Sequence, residues 1–465
     1  MGRVKTRSSR APSWCLSPAV LFALWTVSAN AQWLETTIPV GSLPYSLCYN
    51  PDENKVYCEC EDSVFVIDGE TNEVIASASP RHGSPDQMCY SSRGNKVYVA
   101  VFGSFFLDVM DGATNQFIAS VPVGYAPYDV CYNPRENKVY STSFLRDSVA
   151  VVNGDNDSVI AKLPSSRAPV ALCYNSQDNK VYVANAVGND LTVIDGATDS
   201  VLSHVPTGHE PTYVLYSPLT DRVYASNYQD SSVTIVDGEL DSVVATAAVG
   251  AHPVDLCLNS RDNKVYCANY TGGSISVIDG ALNQVTATVA VGDSPIALLY
   301  NALNNKVYCA NAADGSVTVI DGASDTLLLA IQVGESPWSL ALNPYQNRVY
   351  VANIYSNSLS VIRDSVTESV QENPLPRRPG LVLHANPNPI RNKAEFAFVL
   401  GRAGMVTMSV RDVTGRTVAV LANGVMKAGE YRRDWVVAPP VPAGIYFLSL
   451  KTPGLSETRK LILSK

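Results

Sequence analysis

The sequence predicts an all-β protein: an eight-bladed β-propeller followed by a small immunoglobulin-like β-sandwich. Each repeat unit contains four short β-rich segments and lacks the 3.6-residue apolar periodicity of helices. After the last unit the pattern changes to about 80 residues of alternating strands. The repeat is marked by a Val-Tyr dipeptide, spaced by 41 and then six times by 42 residues, with its tyrosine at Tyr57, Tyr98, Tyr140, Tyr182, Tyr224, Tyr266, Tyr308 and Tyr350. Four strands in about 42 residues are typical of a propeller blade, which must stack on its neighbours to bury both faces.

The copy at residues 249–292 illustrates the order of elements within one unit. "HPVDLCLN" alternates and predicts a first strand, "SRDN" a turn, and "KVYCAN" a second strand. "YTGG" predicts a loop, "SISVIDG" a third strand ending in an Asp-Gly turn, and "NQVTATVAVG" a fourth strand.

The two ends of the repeat region predict how the ring closes. "ETTIPVG" at residues 35–41 resembles a fourth strand that lacks its first three, and the last copy ends at "LSVIRDSVTESV" without a fourth strand. We therefore expect the N-terminal strand to complete the last blade and to cover both raw edges. Seven blades, with one terminal unit docked elsewhere, is the alternative.

The first 31 residues predict a secretory signal peptide. Arg3, Lys5, Arg7 and Arg10 form a basic start, residues 19–27 are apolar, and residues 29–31 read Ala-Asn-Ala, a cleavage pattern. Gln32 would begin the mature chain, which would be exported to the periplasm and then to the cell surface or the medium. The later sequence predicts no transmembrane segment.

Charge argues against nucleic acid as a partner. Removal of residues 1–31, which hold four of the 34 Lys and Arg and none of the 43 Asp and Glu, leaves a formal net charge of −13. Residues 382–465 carry +7, so the repeat region carries about −20. Such a surface repels phosphate backbones, which are bound by Lys and Arg.

The repeats resemble the YVTN-type β-propeller repeats of bacterial and archaeal surface proteins. The resemblance rests on "KVYVAN" at 180–185, "RVYVAN" at 348–353, the "VIDG" turns and the "VPVG-x-x-P" connectors, and it covers residues 35–364. It implies a surface-layer component or another exported protein, and it assigns no activity, since the propeller also carries enzymes.

We expect a propeller over residues 32–364, a Pro-rich linker over 365–383 and a sandwich over 384–465. The last module resembles the C-terminal sorting domain (type A) of type IX secretion cargo in "NPNP" at 386–389, "DVTGR" at 412–416, "GEY" at 429–431, "PAGIY" at 442–446 and the basic end at 460–465. The resemblance implies the type IX secretion machinery as a partner and a domain that is often lost on export. The sorting residues it implies are Asn386, Pro387, Asn388, Pro389, Gly415, Arg416, Gly444, Tyr446 and Lys460. A plain immunoglobulin-like adhesion or spacer domain is the alternative.

The cysteines are predicted to fill apolar core positions. Five first strands carry Cys where other copies have Leu or Ala, an exchange that indicates a buried, small apolar slot. The alternative is a cross-strand disulfide in the two blades with a ten-residue spacing, Cys48 with Cys58 and Cys257 with Cys267.

The sequence offers no constellation for catalysis, a metal or a cofactor. The Asp-Gly aspartates lack the dense spacing of a calcium loop and are interpreted as turn formers. Five histidines are too few and too scattered for a copper or haem site, and no hydrolase or phosphate-loop motif is present.

The variable loops are the candidate ligand-binding site. The connectors "G-x-x-P-x" repeat their frame, while the residues around each proline vary in size and charge, as a recognition surface requires. The candidates are Tyr45, Asp86, Tyr125, Tyr128, Arg167, His209, Asp293, Glu335 and Trp338. The loops between second and third strands add aromatics, among them Phe102, Phe105, Phe106, Phe144, Tyr228, Tyr270 and Tyr355. Unconstrained loop variation is the alternative.

Three functions are compatible with these features. The first is an exported scaffold that binds protein or glycan through its loops. The second is a propeller hydrolase or lyase that uses Asp86, Asp293 and Glu335, and the third is a surface-layer subunit. We expect the first, because no catalytic constellation is present.

Overall fold

The structure is a computed structural model that describes residues 32–83 and 86–364, and further on 383–386, 393–400, 404–412, 416–427, 429–437, 441–442, 444–452 and 455–463. The expected signal peptide and all of the expected linker except residue 383 lie outside the described residues. The chain divides into two compact units, residues 1–367 and 368–465, which are described separately.

The first unit consists of eight four-stranded antiparallel sheets, each a blade built from consecutive strands apart from the last. The chain starts with β1 (Gln32–Pro39). Blades 1 to 4 are β2 (Leu47–Asn50), β3 (Lys55–Cys60), β4 (Ser63–Asp68), β5 (Val74–Ala78); β6 (Gln87–Ser91), β7 (Lys96–Ala100), β8 (Phe106–Asp111), β9 (Gln116–Pro122); β10 (Pro127–Asn133), β11 (Lys138–Ser143), β12 (Ser148–Asn153), β13 (Ser158–Pro164); β14 (Pro169–Asn175), β15 (Lys180–Asn185), β16 (Asp190–Asp195) and β17 (Ser200–Pro206). A 3₁₀ turn, Phe144–Arg146, follows β11.

Blades 5 to 8 repeat the same order. Their strands are β18 (Pro211–Ser217), β19 (Arg222–Asn227), β20 (Ser232–Asp237), β21 (Ser242–Ala248); β22 (Pro253–Asn259), β23 (Lys264–Asn269), β24 (Ser274–Asp279), β25 (Gln284–Ala290); β26 (Pro295–Asn301), β27 (Lys306–Asn311), β28 (Ser316–Asp321), β29 (Thr326–Gln332); β30 (Pro337–Asn343), β31 (Arg348–Asn353) and β32 (Ser358–Asp364), to which β1 is added.

The ring closes as the sequence predicted, with eight blades rather than seven. β1 pairs antiparallel with β32, from Gln32 opposite Asp364 to Pro39 opposite Ser358, and so forms the fourth strand of blade 8. The innermost strands contact one another around the whole ring, including β2 with β30.

The repeated Lys-Val-Tyr explains why the blades stack. The eight tyrosines of the dipeptide are fully buried. Tyr98 donates its hydroxyl to Asp157 of the next blade at 2.6 Å, and Lys96 donates to the same carboxylate at 2.8 Å. Tyr182 and Lys180 contact Asp241 in the same way. The motif therefore forms part of the second strand and also bonds each blade to the next.

A second inter-blade contact joins the ends of the first strands. Asn133 donates its side-chain amide to Asn179 of the following blade at 3.0 Å. Asn343 of blade 8 makes the same bond to Asn54 of blade 1 at 3.0 Å, so the closing junction resembles the internal ones.

The apolar core lies between adjacent blades. One cluster combines Leu191 and Val193 of blade 4 with Val214 and Val223 of blade 5. The first-strand cysteines belong to such clusters, as predicted; Cys257, for example, packs with residues of blades 6 and 7.

The nine described cysteines are free, so the disulfide alternative is wrong. Cys48 lies opposite Tyr57, and Cys58 lies opposite Leu47. Because successive side chains of a strand point to opposite faces of the sheet, the two thiols are directed apart.

The second unit is a sandwich of two sheets, in the orders β33-β34-β37 and β36-β35-β38-β39. Its strands are β33 (Leu383–Asn386), β34 (Lys393–Leu400), β35 (Gly404–Asp412), β36 (Thr417–Met426), β37 (Gly429–Val436), β38 (Gly444–Thr452) and β39 (Leu455–Leu463). Phe396 and Trp435 of the first sheet share one core with Met408 and Leu448 of the second. Among the residues that the structure describes, no helix is long and apolar enough to cross a membrane.

Candidate functional site

The predicted ligand-binding residues lie on one end of the propeller, which we call the loop face. In a blade of four antiparallel strands, the loop between second and third strands and the connector to the next blade emerge at the same end. Asn227, at the end of its second strand, fixes one such loop by donating to Ser232 and Thr234 at 2.9 Å each. Gly208 of the preceding connector packs on this amide, since a Cβ there would lie 2.9 Å from it.

Aromatic side chains of blades 2 and 3 pack in two groups on the loop face. The ring of Tyr128 lies 5.9 Å from that of Phe102 and 5.8 Å from that of Phe144, between centroids. Tyr125 lies 4.9 Å from Phe105. Phe102, Phe105 and Tyr128 are 44%, 50% and 38% exposed, although apolar rings favour burial. We call these five residues the aromatic row.

Beside this row lies a depression of about 620 Å³, the blade 3–5 groove. Its lining residues are Tyr128, Phe144, Val170, Ala186, Val187, Asn189, His209, Glu210, Thr212 and Gln229. The groove thus brings together two of the predicted residues, Tyr128 and His209, with the aromatic Phe144.

The far side of the groove is polar and internally ordered. His209 Nδ1 lies 2.9 Å from Asp230 Oδ1, and Gln229 donates to the Glu210 carboxylate at 2.8 Å. The Glu210 backbone amide donates to Asn189 at 2.9 Å. An aromatic wall opposite fixed polar groups suits a ligand with one apolar face and several hydroxyl or amide groups.

A second group of predicted residues meets where the ring closes. The ring of Tyr45 from blade 1 lies 5.2 Å from that of Trp338 in blade 8. Burial, followed by the neighbouring Tyr128 and Asp86, raises the pKa of Tyr45 to about 12. Burial and the charge of Asp129 raise the pKa of Asp86 to about 7.

The remaining candidates stand apart from both groups. Arg167, Asp293 and Glu335 are exposed on the connectors of blades 4, 7 and 8. The backbone amide of Asp293 donates to Asp314 at 2.7 Å, and that of Glu335 donates to Ser356 at 2.6 Å. None of the three lines the blade 3–5 groove.

The sequence interpretation missed Glu59. This residue is 2% exposed, and its Oε2 has no hydrogen-bond partner among the described residues. Burial, and then the charge of Asp86, raises its pKa well above the usual range. The available signal was the alignment of the repeats, since the corresponding residues are Ala100, Thr142, Ala184, Ser226, Ala268, Ala310 and Ala352.

Two further acids, which are partly buried, have structural partners. The carboxylate of Asp129 accepts the backbone amides of Val130 at 2.8 Å and of Leu172 in the next blade at 2.7 Å. Asp255 accepts those of Leu256 and Leu298 at 2.8 and 2.7 Å. Both carboxylates therefore join two neighbouring blades through hydrogen bonds.

The histidines and Asp-Gly turns show local roles. His82 stacks on Phe106 at 3.8 Å and lies 3.2 Å from Asp108. Asp195 accepts the backbone amides of its own turn, at 2.8 and 2.9 Å, and these bonds lower its pKa. Within the described part of the chain, no three His, Cys, Asp or Glu side chains are placed to hold a metal ion.

The sandwich contains part of the expected sorting residues. Tyr446 is 4% exposed and donates its hydroxyl to the Pro442 carbonyl at 2.6 Å, while Arg416 is exposed and lies 3.3 Å from Asp412. Gly444 begins β38, and Asn386 and Lys460 lie in β33 and β39. The others lie outside the described residues: Pro387, Asn388, Pro389 and Gly415.

Comparison with known proteins supports the propeller. A family described as "Lactonase, 7-bladed beta-propeller" matches residues 195–288, about a fifth of the chain, whereas this propeller has eight blades. No curated protein matches the sequence.

Two solved structures that are similar to the propeller are each 16% identical to the chain. The C-terminal WD40 domain of Sif2 is 16% identical with a TM-score of 0.59, and the match covers 72% of this chain and 98% of that one. Hydrazine synthase of Kuenenia stuttgartiensis is 16% identical with a TM-score of 0.51, and the match covers 72% and 97%. At this identity the similarity establishes the fold alone.

Proposed function

We propose that the protein is an exported β-propeller that binds a protein or glycan outside the cell through its loop face. The observation that carries the proposal is the aromatic row: rings of two blades pack against each other, three of the five side chains are exposed, and Tyr128 and Phe144 line the blade 3–5 groove. Keeping apolar rings in water is unfavourable without a partner, and exposed aromatics of this kind anchor recognition sites.

The test is capture of cell-wall, glycan and secreted-protein fractions of the producing cell by the purified mature chain. Tyr128→Ala should weaken capture about 30-fold, as expected for a central aromatic anchor. Leu240→Ala is the matched control, because Leu240 is 71% exposed in a turn between third and fourth strands, on the opposite face. If no fraction binds, or if both variants behave like the wild type, the proposal fails.

The proposal of export is supported by the sequences of residues 1–31 and of the C-terminal sandwich. We propose that residues 1–31 are removed and that the sandwich is a type IX sorting domain. Intact mass and location of the native protein test this: a surface or released form that starts at Gln32 and lacks the sandwich supports it. A full-length form held in the periplasm contradicts it.

A propeller lactonase is the second candidate, because the lactonase family matches two blades. Asp86 is the candidate acid or base, since burial and Asp129 bring its pKa to about 7. Lactone hydrolysis that is lost in Asp86→Asn and kept in Glu239→Gln, which changes an exposed acid in a turn on the opposite face, would favour this function. Absence of turnover on a panel of lactones would remove it.

A further inference from the structure

Glu59 departs from the repeat in a way that packing does not explain. Seven blades place Ala, Ser or Thr at this position of the second strand, next to the loop face. In blade 1 the backbone is conventional: Glu59 donates its amide to Ser46 at 3.0 Å and accepts that of Tyr45 at 2.9 Å. The departure is therefore confined to the carboxyl group, which is buried with one oxygen unpartnered among the described residues. An isolated buried carboxylate is strongly disfavoured without a compensating partner.

The surroundings of Glu59 are negative. The charge of Asp86, on the connector to blade 2, interacts with Glu59, and the charge of Asp129 in blade 3 interacts with Asp86. Three carboxyl groups therefore interact across blades 1 to 3. After burial, the charges of Asp86 and of the Cys60 thiol raise the pKa of Glu59, and the charge of Asp129 raises the pKa of Asp86. Asp129 has its two backbone donors, whereas Glu59 has none for Oε2.

Aromatic rings adjoin these carboxyls. Tyr45 interacts with both Glu59 and Asp86, and its ring packs on Trp338. Tyr and Trp faces attract cations through their quadrupoles, and carboxylates supply charge-assisted hydrogen bonds to N–H donors. No group of ligands among the described residues suits a metal ion. A cation with several N–H donors suits this combination of carboxyl groups and aromatic rings.

We infer that the inner end of the loop face at blades 1 and 2 binds an organic cation, an ammonium or guanidinium group, between the carboxyls of Glu59 and Asp86 and the ring of Tyr45. The inference goes beyond the proposed function, because these residues lie outside the blade 3–5 groove. The cation can be a free amine or the end of a Lys or Arg side chain.

The experiment is titration calorimetry of the full mature chain with three probes: n-butylammonium, the blocked peptide Gly-Lys-Gly, and n-butanol as the neutral control. Glu59→Gln removes the charge and keeps the shape, and Glu59→Ala restores the residue class of the other blades, so both should fold. We expect saturable binding of an ammonium probe, no binding of butanol, and a loss of about tenfold or more in either variant. Glu239→Gln, in an exposed turn between the third and fourth strands of blade 5 on the opposite face, is the charge-matched control and should leave binding unchanged.

The two ammonium probes separate the sources. Binding of butylammonium alone indicates a free amine, and binding of the peptide indicates a side chain; both support the inference. Equal binding of butanol, absence of saturable binding, or unchanged affinity in both Glu59 variants overturns it. These outcomes are distinguishable from the Tyr128 test, because they measure binding of small ammonium probes in Glu59 variants, whereas the Tyr128 test measures capture of cell fractions.

Discussion

Arg348 is predicted to make the main side-chain contact that holds the ring closed. Its guanidinium donates to both carboxylate oxygens of Glu35 in β1, at 2.7 Å each, and to the carbonyls of Gly69 and Glu70 in blade 1, at 2.9 and 2.8 Å. One side chain of blade 8 therefore holds both the added strand and the neighbouring blade. The Arg348 hydrogen bond lowers the pKa of Glu35.

Arg348→Ala should destabilise the propeller by about 3–5 kcal/mol, the range for removing one partner of a buried ion pair. The value belongs to the lower half of that range, because the Glu35 side chain is 24% exposed and can partly rehydrate. Urea unfolding of the mature chain, followed by tryptophan fluorescence, measures the change, since Trp33 lies on β1 and Trp338 on β30.

Arg363→Ala is the matched control. Arg363 approaches the same carboxylate at 3.7 Å and its side chain is 33% exposed, so its loss should change stability by less than about 1 kcal/mol. Equal effects of the two substitutions, or additivity of Arg348→Ala with Glu35→Gln, would refute the assignment of closure to this contact.

Three further predictions concern stability. Arg222 contacts Asp237 of its own blade at 2.8 Å, while Asn283 in the next blade has a buried side-chain oxygen with no hydrogen-bond partner among the described residues. Arg222→Lys should restore the bond between the two blades and raise the free energy of unfolding by about 1 kcal/mol in the urea assay. Burial raises the pKa of Asp129 to about 6 and of Asp255 to about 7, so the folded state binds more protons than the unfolded state between these values and the ordinary pKa of Asp. The free energy of unfolding should therefore fall as pH rises from about 4 through 7. Asp255→Asn should make this dependence on pH less steep. The six buried cysteines should react with a thiol reagent only after unfolding, and a reductant should leave the urea midpoint unchanged. A stabilisation that is lost on reduction would contradict the free thiols.

The fold was predictable because its signal is repeated. A period of 42 residues averages over local ambiguities, and the lone strand at residues 35–41 could only complete the blade that lacked one. Register was harder to predict. Cys48 and Cys58 are ten residues apart across a hairpin, but the turn places Cys48 opposite Tyr57, so the two thiols point to different blades.

The candidate site was predictable only in part. Equivalent connector positions lie in different blades around the ring. Asp293 and Glu335 are therefore not expected to be neighbours of Asp86 in space, although all three are connector residues. The packing of the Tyr128 ring between those of Phe102 and Phe144 depends on loops from neighbouring blades, which no single-repeat pattern encodes. Glu59 was not predicted, because a single large residue at a position that is small in the other blades does not form a recognisable motif.

Hydrogen exchange of the mature chain with and without a captured fraction tests binding through the loop face most directly. We predict that the ligand protects amides of residues 102–106, 144–146 and 186–189, which border the aromatic row and the groove, and leaves the turn at 237–242 on the opposite face unchanged. Protection confined to the 237–242 turn and its equivalents, or none on the loop face, would contradict the account.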